Sequence, residues 1–161
     1  MKLNPNFLSN LRLDESGTPL IPRIAVVAVV YGMVPISLKA IAFGSFRTRH
    51  LYSDDALRLL ASDLSVLNSI WFLSVIAAHL FRERLPQSLA ERFWTNIPSV
   101  LVLGIFSRVL CNIGEVFLSN GSPVWLLLIS IEIWFAFLIW KSPSVKAYYS
   151  PDCFKLLRDN V

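Results

Sequence analysis

At 161 residues and a formal net charge of +4, the chain is long enough for one compact domain and too short for two. Hydrophobic residues make up 55% of it and charged residues 16%, with a mean hydropathy of +0.57, whereas a soluble domain carries about 25% charged residues to face water. That balance excludes a well-coated soluble fold and predicts lipid as the solvent. No basic cluster is interleaved with aromatics, which excludes a nucleic-acid binder.

About twenty mixed polar residues precede the first apolar run and no small-residue cleavage site follows it, so no secretory signal is expected. A crossing helix needs about 20 mostly apolar residues, and four segments meet or approach that length. The first, residues 24–43, starts after Pro22, a residue suited to a helix start. Pro35 is expected to kink or break it, and Lys39 near its far end to snorkel towards headgroups. The second, residues 64–81, follows Ser53-Asp54-Asp55, whose acids favour a helix beginning near Asp54 with an Asp54–Arg58 pair.

Leu85-Pro86-Gln87 predicts a break, after which Ser88 and Glu91 have capping-box spacing. They are expected to open a short interfacial helix carrying Phe93 and Trp94. The third span covers residues 97–118, with Pro98 in its first turn. Asn120-Gly121-Ser122-Pro123 is a tight turn, and the fourth span covers residues 124–140 with Trp125 and Trp140 as interface anchors. In the juxtamembrane tail, residues 141–161, Ser150-Pro151-Asp152 starts an amphipathic helix expected to lie on the membrane surface.

The expected fold is thus all-α: a single polytopic membrane domain, residues 1–161, of four transmembrane helices with short interfacial helices. Its orientation follows from Lys and Arg in the flanks. Lys2, Arg12, Arg23, Arg82, Arg84, Arg92, Lys141, Lys146, Lys155 and Arg158 fall on one side. Only Arg47, Arg49, Arg58 and Lys39 fall on the other. Both termini are therefore expected to be cytoplasmic.

The polar residues of the last hairpin are the candidate site. Arg108, Asn112 and Glu115 share one face of the third span, at i, i+4 and i+7. With the turn near Asn120-Gly121, Arg108 lies level with Glu132 on the fourth, close to mid-bilayer. A lone charge there costs about 2.5–3.5 kcal/mol on insertion scales, so the two are expected to pair. Either the pair fixes helix register, with Asn112 bonded nearby, or the four residues line a wet cavity for ions, protons or a small polar substrate. His79 is expected to bond a carbonyl or sit at the interface. Asn68, Ser65, Ser69 and Ser74 read as helix-packing residues. Cys111 and Cys153 read as free thiols, and no metal, cofactor or catalytic constellation is predicted.

Residues 133–148, an aromatic-rich helix end running into Lys141-Ser142-Pro143-Ser144-Val145-Lys146-Ala147-Tyr148, resemble the close of small uncharacterised bacterial inner-membrane proteins. In these a last helix runs into a K-S-x-x-V-K-x-aromatic tail. The resemblance implies a four-helix inner-membrane protein with a cytoplasmic C-terminus, and no activity. The expected function is a non-enzymatic assembly, accessory or immunity-like factor, in contact with lipid and with itself or a larger membrane complex. A homo-oligomeric channel or small transporter using the Arg108/Glu132 region is the alternative.

Overall fold

A computed structural model of the chain describes residues 9–45, 56–118 and 123–159, with side chains at 9–34, 68–114, 116 and 123–158. Two short strands, β1 (Arg12–Leu13) and β2 (Pro19–Leu20), pair antiparallel. They are followed by α1 (Arg23–Ser45), α2 (Ala56–Phe81), α3 (Gln87–Leu118), α4 (Pro123–Lys141), α5 (Pro143–Tyr148) and α6 (Pro151–Asp159). The all-α expectation therefore gains a small hairpin. It forms because Asp14 Oδ1 accepts from the Ser16 and Thr18 N–H groups while Gly17 takes a left-handed turn at φ 79°. These bonds, the Ser16 hydroxyl first, hold the exposed Asp14 carboxyl below its usual range.

The mostly helical expectation is met, and α3 and α4 are long and apolar enough to cross a membrane. Among the described residues α1 and α2 contribute shorter apolar stretches, Arg23–Val34 and Asn68–Phe81. Two qualifying helices thus stand where the sequence predicts four spans. α1 runs past position 35 as one helix, so of the expected kink or break there the break does not occur. The Asp54 helix start and its pairing with Arg58 fall outside the described residues and side chains.

The separate interfacial helix is also corrected. α3 is one helix of 32 residues that continues over Pro98, about 48 Å long. It opens one residue before Ser88, with the Leu89 and Ala90 N–H groups donating to the Pro86 carbonyl. Proline removes one backbone donor from the ladder. In the turn before it, Thr95 Oγ1 and Asn96 Nδ2 bond back onto the Glu91 and Arg92 carbonyls, at 3.0 and 2.7 Å. Side chains of this kind support a proline turn in an apolar helix.

Central in the bundle, α3 packs against α1, α2, α4 and α6. Small residues at a helix contact let two backbones approach closely. Phe72 of α2, wholly buried, fills the space that such residues leave. A Cβ at Gly32 of α1 would lie 2.1 Å from Phe72 Cδ2, and one at Gly104 of α3 would lie 2.8 Å from Phe72 Cζ. Ser69 Oγ, one turn before Phe72, donates to the Gly32 carbonyl at 3.1 Å. One ring and two glycines thus set the spacing of three helices.

The tail does not lie free on a surface. Cys153, Phe154 and Leu157 of α6 turn into the protein, and Trp94 is 1% exposed. Trp94 Nε1 donates to the Tyr148 carbonyl at 3.0 Å, and its ring packs on His79, Tyr148, Tyr149 and Phe154 with centroids 4.8–5.9 Å apart. Trp94 and the tail helix, both expected at the membrane interface, thus cover each other within the protein.

Gly32→Ala is expected to destabilise the protein by about 1–3 kcal/mol through overpacking. Thermal unfolding in detergent reads this as a lowered midpoint, and adding Phe72→Leu should recover part of the loss. A Gly32→Ala protein as stable as the parent would refute the three-helix contact.

Candidate functional site

Glu132 stands midway along α4, about 14 Å from either end. It is 1% exposed and the one buried charged residue among those described. A carboxylate so placed must find donors, and two neighbouring helices supply them. From α3, Arg108 Nε reaches Glu132 Oε1 at 3.3 Å, and Asn112 Nδ2 donates to Oε2 at 2.7 Å. From α1, the Tyr31 hydroxyl donates to Oε1. Arg108 Nη2 in turn donates to the Tyr31 oxygen at 3.3 Å, and its guanidinium carbon lies 4.3 Å from the centre of the Tyr31 ring. Tyr31 therefore meets Glu132 as a donor and Arg108 as both an acceptor and a π face.

Next to this cluster, α2 completes a polar layer. Asn68 and Ser69 are buried. Ser107 Oγ of α3 donates to Asn68 Oδ1, and Ser69 binds the Gly32 carbonyl next to Tyr31. All four long helices are thus joined by hydrogen bonds across one level of the bundle. Two donors, Arg108 Nη1 and Asn68 Nδ2, are buried without a partner among the described residues.

Three of the four residues singled out in the sequence, Arg108, Asn112 and Glu132, come together. The Glu115 side chain lies outside the described residues, as does that of Ser65. Asn68 and Ser69 pack between helices as expected, whereas Ser74 is exposed and bonds the Trp71 carbonyl of its own helix. His79 Nδ1 bonds the Val75 carbonyl at 2.9 Å. Tyr31 had no signal in the sequence beyond a polar atom within an apolar run, because nothing in α1 alone says which way it faces.

A second cluster closes the basic end of the bundle, where the Tyr149 hydroxyl lies 3.4 Å from His79 Nε2. Burial pushes the Tyr148 hydroxyl and the Cys153 thiol each up to about 12, and raises Tyr149 as well. These groups are held neutral, so Cys153 is no nucleophile in the docked tail.

Set against known proteins, the chain matches no family model, no curated protein and no solved structure. Fold and site together define a mostly helical protein with two helices able to cross a membrane, built around a buried ion pair.

Removing one partner of a buried pair leaves the other charge uncompensated, at a cost of about 3–5 kcal/mol. Arg108→Ala and Glu132→Ala should each lower the unfolding midpoint accordingly, and the charge-swapped double variant should recover part of it. Tyr31→Phe should cost about 1–3 kcal/mol, the penalty for an unmet buried acceptor. A Tyr31→Phe protein indistinguishable from the parent would remove α1 from the cluster.

The raised thiol gives a pH dependence. A group whose proton is held more tightly in the folded state stabilises that state below its ordinary pKa. The contribution is lost as pH rises from about 9, the ordinary thiol value, towards 12. In a Cys111→Ser background, alkylation of Cys153 near neutral pH should run about a hundredfold slower than for a free thiol. Trp94→Ala should accelerate it; equal rates in the two proteins would mean that the indole does not hold the tail.

Proposed function

We propose that the chain is a polytopic membrane protein whose four long helices all cross the bilayer, with both termini cytoplasmic. In this reading it is an assembly, accessory or immunity-like factor, and not an enzyme. The outward faces of α3 and α4 support a lipid environment. Leu103, Phe106 and Leu110 on α3, and Leu127, Ile131, Trp134 and Phe137 on α4, are all exposed large apolar side chains. The cationic flanks Arg23, Arg82, Arg84, Arg92, Lys141 and Lys146 lie at the helix ends that share the tail cluster, which supports a cytoplasmic face there. The tail resemblance favours a bacterial inner membrane.

The observation that carries the non-catalytic, non-transporting reading is that both oxygens of Glu132 are engaged by side-chain donors. One oxygen accepts from Arg108 and Tyr31, the other from Asn112. A carboxylate held by three donors from two neighbouring helices is suited to a structural clamp, with about one of its four lone-pair sites left open. The apolar faces of α3 and α4 remain available to a second copy or a larger membrane complex. A channel or small transporter is the second reading, and the buried Arg108 Nη1 without a partner among the described residues is what favours it.

In proteoliposomes the protein should give proton, sodium and potassium flux no greater than empty vesicles, and Glu132→Gln should leave that unchanged. In native detergent extracts it should run as a multiple of its 18.2 kDa mass. Selective flux abolished by Glu132→Gln would overturn the accessory reading in favour of transport.

A further inference from the structure

A cavity of about 280 Å3 opens between the β-hairpin, the start of α1 and the elbow joining α4 to α5. It exceeds the roughly 30 Å3 share of a single water several-fold, so it has room for a group of headgroup size. Its walls combine apolar Leu11, Leu20 and Ile24 with Arg12, Arg23, Ser142 and Ser144. Arg12 lies on β1 and Arg23 opens α1, so two separate elements bring two guanidinium-bearing residues to one opening. Neither forms an ion pair among the described residues. Ser142 Oγ accepts from the Val145 N–H and lies 3.0 Å from Ser144 Oγ, which fixes both hydroxyls at the elbow.

Two cations brought to one concavity without a carboxylate repel each other unless an anion joins them. Arginine's planar fork matches phosphate oxygens two at a time, and hydroxyls add further donors. The remaining wall is apolar, which suits the glycerol and first methylenes of a lipid and disfavours a fully hydrated ion. The place agrees with this chemistry. The start of α1 and the end of α4 lie at the bundle's basic end, where Lys141 directly precedes Ser142 of the cavity wall and Lys146 lies over the ring of the exposed Trp140.

We infer that this cavity seats the phosphate of an anionic phospholipid, with Arg12 and Arg23 as its charge partners and Leu20 and Ile24 against the glycerol. The inference rests on the membrane reading above but is tested separately from it, since the full chain is first shown to reconstitute in bilayers. Retention of phosphatidylglycerol against phosphatidylcholine is then read by native mass spectrometry of protein released from mixed vesicles. The parent should retain phosphatidylglycerol selectively. The Arg12→Ala/Arg23→Ala double variant should lose about thirty-fold in that preference, from two basic side chains each contributing about fivefold. Arg12→Lys/Arg23→Lys should keep part of it, and the control Arg84→Ala/Arg92→Ala should keep all of it.

Millimolar inorganic phosphate should not displace the lipid. Displacement by free phosphate would assign the cavity to a soluble anion and overturn the lipid assignment. Unchanged preference in the Arg12/Arg23 alanine variant, or an equal loss in the control, would overturn the site itself.

Discussion

A carboxylate in the middle of an apolar helix has to be neutralised by other helices, and in this protein that requirement organises the bundle. Glu132 draws Arg108 and Asn112 from α3 and Tyr31 from α1. The adjacent Asn68–Ser107 and Ser69–Gly32 bonds bring in α2. In water such a network would compete with solvent for each bond. Between apolar helices the alternative is a buried unsatisfied group, so the layer sets helix rotation and register together. Stability is a separate matter: buried pairs often contribute little net energy compared with apolar replacements. What this one supplies is a single permitted arrangement.

Two further devices support the polar layer. The Gly32–Phe72–Gly104 contact lets three helices approach closely enough for Ser69 to reach a backbone carbonyl. At the basic end, Trp94 ties the tail to the start of α3 and, through His79 and Tyr149, to the end of α2. The tail is amphipathic because its apolar side meets protein. An amphipathic helix after a last span has two ways to satisfy the same pattern, a lipid surface or its own bundle. Here Trp94 of α3 meets that side from within the bundle.

The exposed apolar faces of α3 and α4 and the paired interior form a consistent division of labour. Polar chemistry is turned inward and largely paired; apolar surface is turned outward and left bare. The two helices long and apolar enough to cross a membrane thus carry bare apolar faces.

Much of the helical framework and the Arg108–Glu132 pairing was legible in the sequence. Helix length, turn residues and the depth of a charge can be counted along a chain, and burying an unpaired charge is costly enough to force the match. The turn at Pro86 and the helix start at Pro151 were readable for the same local reason. Tyr31, the two glycines and the burial of Trp94 were decided only by tertiary structure. Each depends on how one helix is rotated against another. A uniformly apolar run such as α1 carries almost no amphipathic signal to fix that rotation. The polar layer supplies the rotation, and it exists only when all four helices are in place.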